Sequence, residues 1–74
     1  MDRKREAEVK QIFGQRLKEI RLDKELSQEE LAFRSDFDRT YISAIERGLK
    51  NPSLITIERL AEALDVDTDS LFKD

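Results

Sequence analysis

Seventy-four residues with a formal charge of −3 make one small domain, of the size that buries only about 60% of its unfolded surface and gains from a partner subunit. The absence of cysteine and histidine removes disulfides, Cys- or His-ligated zinc, thiol chemistry and imidazole acid–base chemistry together. No run approaches the roughly 18 apolar residues of a membrane span, and the opening "MDRKREAEVK" has no apolar stretch behind its charges, so no signal peptide or membrane partner is expected and the chain reads as cytoplasmic.

The pattern predicts five helices and no strand. The first is expected from about Arg5 to Lys24, where Val9, Phe13, Leu17 and Ile20 form one apolar stripe. Gly14 inside it costs about 1 kcal/mol relative to alanine, either as a tolerated accident or to allow a close helix contact. Ser27 opens a second helix with Glu30 three residues on, the spacing of a capping box, and Leu31 and Ala32 face inward. After the break "SDFD", Asp38 is a suitable N-cap for a third helix and Gly48 supplies the left-handed residue that ends it. Ile42 and Ile45 form the buried edge of that helix, with Arg39, Thr40, Ser43, Ala44 and Arg47 on the opposite side. Ser53 caps a fourth helix to about Leu64, with Leu54, Ile57, Leu60, Ala61 and Leu64 as its apolar face. A short fifth helix, capped by Asp67 or Thr68, carries Leu71 and Phe72.

Charge runs from basic to acidic along the chain. Residues 1–24 hold eight Lys/Arg against five acids, residues 25–50 four against six, and residues 51–74 two against six. A polyanion responds to the field within about 8–10 Å rather than to the net charge.

The second and third helices, about 27–48, are short, joined by a tight turn, and end in a face of small and polar side chains. That is the make-up of a helix-turn-helix. "SQEELA" and "YISAIERG" resemble the Cro and phage-repressor type of helix-turn-helix proteins, the XRE-like family, over about Phe13 to Phe72. "DRTYISAIERG" followed by "NPSLITIERLAEALDV" is most similar to the controller proteins of restriction–modification operons. The resemblance implies an all-α, compact, phage-repressor-like DNA-binding domain over residues 1–74. One position departs from the pattern: the turn residue usually held by glycine is Asp36, a residue type that visits the left-handed region at modest cost.

The resemblance places base-reading side chains at Arg39 and Thr40. Arginine donates two hydrogen bonds to guanine; threonine donates, accepts, or meets a thymine methyl. Ser43 and Ala44 are small enough to let the helix approach, Ala44 by apolar contact alone. Gln28 at the start of the second helix is expected on a phosphate, with Arg47 and Asn51 next and the Tyr41 hydroxyl as an extra beyond its ring's packing. These side chains make a local anion-binding surface, with the acids of residues 58–74 expected away from it. In phage repressors the positions of Arg21 and Glu46 carry an ion pair beneath the recognition helix, and the same pair is expected here. A homodimer would set two recognition helices about 34 Å apart on a near-palindromic operator. Its interface is expected on the fourth and fifth helices (about 53–73), through Ile55, Leu71 and Phe72, of which one of the last two can seal the core while the other remains available.

The leading reading is a sequence-specific transcriptional regulator bound to double-stranded DNA, with no cofactor, metal or small-molecule ligand. The alternative is an antitoxin-like or adaptor protein using the same fold to hold a protein partner. An enzyme is disfavoured: the carboxylate pairs Asp36/Asp38 and Asp67/Asp69 sit where helix caps are needed, without a Gly-rich phosphate loop.

Overall fold

The computed structural model describes residues 1–72, and all regular structure among them is helical. Asp2 starts the first helix by accepting from the Arg5 amide at 2.8 Å, so α1 spans Arg3–Asp23, two residues earlier than the apolar stripe alone indicated. Phe13, Leu17 and Ile20 of that stripe are buried, whereas Val9 lines a surface groove with Lys10 and Asn51 and is partly exposed. Ser27 and Glu30 form the reciprocal capping box that opens α2, Gln28–Ser35. The amide hydrogen bond from Ser27 holds the Glu30 carboxyl below the usual carboxylate range. Next come α3, Arg39–Glu46, and α4, Leu54–Leu64, which Ser53 caps by accepting from the Thr56 amide at 3.1 Å.

Each of the four α-helices ends in the same doubly hydrogen-bonded turn, whose central residue lies in the left-handed region. The residues there are Glu25 (φ 59), Asp36 (φ 60), Gly48 (φ 75) and Asp65 (φ 56). In each turn the following amide reaches back five residues, as Phe37 to the Ala32 carbonyl at 2.9 Å and Leu49 to the Ala44 carbonyl at 2.9 Å. Only one of the four is glycine. Local pattern had marked Asp36 and Gly48; Glu25 and Asp65 carry no comparable signal.

Four expectations from the sequence are corrected. The fifth helix is a 3-10 segment, Thr68–Phe72, because five residues close i→i+3 bonds such as Ser70 N–H to the Asp67 carbonyl (3.0 Å) more readily than a full α-turn. Leu71 in that segment is fully buried and therefore has no surface to offer a partner. Leu54, placed on the apolar face of α4, is 84% exposed, since the first residue of the helix projects beyond the core. Asp38 stands at the N-cap position of α3, but its carboxylate makes no cap hydrogen bond. The last residue of the expected dimerisation segment, Lys73, lies outside the described residues.

The core is built from Leu17, Leu31, Ile42, Ile45, Leu60, Leu64 and Leu71, one or two from each element. The α3 helix packs on α1 and α2, while α4 packs on α2 and the 3-10 segment, which also lies against α1. Arg16 ties that segment down by donating from Nε to the Ser70 carbonyl at 3.0 Å, and Thr68 hydrogen-bonds the Glu58 carboxylate of α4. No helix among the described residues is long and apolar enough to cross a membrane.

Gly14 marks where α1 meets the end of α3. A Cβ there would sit 2.3 Å from the Ile45 carbonyl oxygen and 2.7 Å from that of Glu46. Helix propensity alone would make Gly14→Ala stabilising by about 1 kcal/mol. The backbone clash reverses that sign, and overpacking of this kind costs about 1–3 kcal/mol. Gly14→Ala is expected to lower the urea midpoint; a raised midpoint would show that the two helices can separate freely.

Candidate nucleic-acid interface

The turn of the helix-turn-helix is held from outside the motif. Arg59 of α4 donates from Nη2 to the carbonyls of Ser35 (2.7 Å) and Asp36 (3.0 Å), the end of α2. Its guanidinium also stacks on the Phe37 ring, 4.1 Å from the centroid, and that ring meets Tyr41 edge-on at 5.1 Å. Arg59 thus neutralises the carbonyl end of α2 and fixes the left-handed Asp36. In the sequence Arg59 stands out only as one of two cations in the acidic last third of the chain.

Beneath α3 lies a buried ion pair. Glu46 accepts from Arg21 Nε at 2.7 Å and from Nη2 at 3.0 Å, with both side chains almost wholly buried. Arg21 Nη1 donates to the Leu26 carbonyl at 2.7 Å, so one guanidinium holds α1, the α1–α2 turn and α3 together. The network continues toward the surface. Gln28 Nε2 donates to Glu46 Oε1 at 3.0 Å, and Gln28 Oε1 accepts from Arg39 Nη1 at 3.3 Å. Among the described residues, no buried side-chain nitrogen or oxygen lacks a partner.

Arg39 and Thr40 are exposed in the first turn of α3, and Ser43, one turn on, is half-buried. Arg47 is exposed and anchored by Nε to the Ser43 carbonyl at 3.3 Å; Lys50 and Asn51 follow it into solvent. Tyr41 packs its ring against the core edge. Ala44 is corrected: it is buried, not on the open face, so it has no methyl free for a base. The turn around Gly48 brings Leu49 back beside it, and a helical wheel drawn for α3 alone does not contain that turn. Gln28 is half-buried at the start of α2, and its amide keeps one N–H beyond the bond to Glu46.

Comparison with known proteins sets this geometry in a family. The helix-turn-helix family profile matches residues 17–71, which includes α2, the turn, α3 and α4. The chain belongs to the helix-turn-helix family. It is 50% identical over 64 residues to the control protein C.BamHI of Bacillus amyloliquefaciens, covering 85% of this chain and 79% of that one. The structure is similar to that of the restriction–modification controller protein C.AhdI from Aeromonas hydrophila, with a TM-score of 0.85 and 52% identity over 86% of this chain and 97% of that one. It also resembles the controller protein C.Esp1396I, whose tetramer has been solved on its natural 35 base-pair operator (TM-score 0.80, 38% identity, 86% of this chain and 84% of that one). These helix-turn-helix relatives are transcription regulators, not enzymes.

Surface ion pairs such as Arg5–Glu8 (3.3 Å) are worth about 0–1 kcal/mol. Removing one partner of a buried pair costs about 3–5 kcal/mol, because the other charge is stranded. Glu46→Ala is therefore expected to destabilise the fold by about 3–5 kcal/mol in urea unfolding, while Glu8→Ala shifts it by less than about 1. Equal, small shifts would mean that Arg21 finds water in place of Glu46.

Proposed function

We propose that this protein is a sequence-specific transcriptional regulator of the restriction–modification controller kind, reading a near-palindromic operator in cytoplasmic DNA as a homodimer. The observation that carries the reading is the exposed Arg39–Thr40 pair at the start of α3, with the Arg39 guanidinium oriented through Gln28 and Glu46 by a buried arginine. A guanidinium held in advance loses less freedom on docking a guanine edge, where a bidentate contact is worth about 1–3 kcal/mol of discrimination. Ser43 lets the helix approach. Gln28, Arg47, Asn51 and the Tyr41 hydroxyl are assigned to phosphates, which position the helix without carrying base identity. The relatives named as controller proteins support this assignment, and none supports a protein-holding adaptor.

For the dimer, Ile55 and Phe72 remain candidates at 70% and 62% exposure, and Leu54 takes the place that Leu71 vacates by being buried. Phe72 also packs on Phe13, with ring centroids 5.5 Å apart, so it presents only part of its ring. Two adjacent aliphatic side chains in the first turn of α4, on a helix that does not pack against α3 as its main neighbour, suit a two-fold contact away from the reading face.

Selection of bound sequences from a random duplex pool tests the whole reading. Two inverted half-sites about 34 Å apart are expected, and no enrichment would reject it. Arg39→Ala should weaken the selected site by about 1–3 kcal/mol and relax one base position; equal losses on matched and scrambled duplexes would remove Arg39 as a base reader. Ile55→Asp should shift sedimentation toward monomer at micromolar concentration and weaken operator binding, whereas two folded monomers of equal affinity would reject the dimer.

A further inference from the structure

The α1 helix is long for its place in the fold, beginning fourteen residues before the segment that the family profile matches at residue 17. At 100° per residue, its charges are sorted by face. Gly14, against the Ile45 and Glu46 carbonyls, and Gln11, which a Cβ on Gly48 would meet at 2.7 Å, mark the side turned toward the end of α3. A sector of about 120° centred on that side contains no aspartate or glutamate and five cations: Arg21, buried on Glu46, and the surface stripe Arg3, Lys4, Lys10 and Lys18. All four acids of α1 lie outside it, two of them paired with cations that also lie outside it, as Arg5–Glu8 and Arg16–Glu19. None of the four stripe cations is in an ion pair among the described residues, and three of them are exposed, with Lys10 half-buried. Lys10 shares a surface groove with Asn51, Glu6 and Val9, so the stripe meets the loop that carries Arg47, Lys50 and Asn51 at its Lys10 edge.

From Gly14 to Arg3 the stripe extends about 16 Å. We infer that the N-terminal half of α1 is a second phosphate-binding element, in which Lys10, Arg3 and Lys4 engage the sugar–phosphate backbone flanking each half-site. The inference rests on the DNA-binding reading above. Four cations outside any ion pair, on one acid-free side of a helix that borders the phosphate-assigned loop at Lys10, make a local positive field for an approaching polyanion. Duplex DNA, one negative charge per about 1.7 Å of axis, is the partner of matching charge and length. The stripe adds affinity without adding base identity.

Salt dependence separates this role from base reading. Each phosphate contact adds about 0.9 to the slope of log affinity against log salt concentration. The triple variant Arg3→Gln, Lys4→Gln, Lys10→Gln should lower the slope by about 2–3 on the selected duplex. The ratio of matched to scrambled affinity should not change, and the difference should vanish on a duplex trimmed to the half-sites. Lys10→Gln alone should lower the slope by about 1, and Arg5→Gln, the same charge change on the other face, should leave it unaltered. Helicity and urea midpoint should match wild type, because the altered residues lie outside the core. An unchanged slope in the triple variant, with wild type binding normally, overturns the second element alone; wild type that binds no duplex overturns the DNA-binding reading itself. A slope lowered equally by Arg5→Gln would assign the effect to overall charge and also overturn the element.

Discussion

The Arg21–Glu46 pair is the contact on which the rest of the arrangement depends. Arginine offers five donors in a rigid fork, and here three of its nitrogens are committed: two on Glu46 and one on the Leu26 carbonyl. A buried charge without its partner is far more costly than no charge at all. The pair therefore admits few alternatives: α3 can neither rotate nor slide without separating Glu46 from Arg21. What reaches the surface is the consequence. Glu46 holds the Gln28 amide, Gln28 holds Arg39, and the first side chain of the reading helix inherits its direction from a carboxylate in the interior.

Two further constraints act on the same helix. Gly14 lets α1 close onto the carbonyl end of α3 at a distance no side chain would permit, and Gly48 turns the chain at a positive φ against Gln11. On the other side, Arg59 occupies the carbonyl end of α2 and the Phe37 ring, so the turn before α3 is held by a helix that follows it in sequence. The turn's left-handed residue is Asp36, not glycine. An L-residue there carries a backbone penalty of roughly 1–2 kcal/mol, less for aspartate. The two charge-assisted bonds from Arg59, one of them short at 2.7 Å, offset it.

The net charge of −3 is compatible with a polyanionic partner because charge runs from basic to acidic along the chain, with the largest acid excess in its last third. Among the described acids of the last third, Glu58 and Glu62 sit on α4, Asp69 on the 3-10 segment and Asp65 and Asp67 in the turn between them, and the main neighbours of those two elements are α2, α1 and each other. The surface cations near α3 are Arg39 on the helix itself, Arg47 at its C-cap, Lys50 in the loop and those on the acid-free side of α1. With a screening length of about 8–10 Å, the acidic side weakens loose association over the whole surface more than it opposes a docked helix.

Local sequence determined what interactions within about four residues decide. The stripes of Phe13, Leu17 and Ile20 and of Ile57, Leu60, Ala61 and Leu64 gave helices. Ser27 with Glu30, and Ser53, gave their starts, and Gly48 gave an end. The motif strings gave the family, and residue types at the head of α3 gave candidate readers. Tertiary structure decided which of those residues reach solvent, because exposure depends on chain that is distant in sequence. Ala44 is buried beside the turn at Leu49, Leu71 is buried in the core, Leu54 projects beyond it, and Asp38 leaves its cap unused. The glycine at position 14 is ambiguous until α3 is laid against it. Twenty-five residues separate Arg21 from Glu46 and twenty-four separate Arg59 from Ser35, and no periodicity spans such gaps. Resemblance named the first pair; nothing in the sequence named the second, since a single arginine reaching a carbonyl leaves no pattern until the fold brings them together.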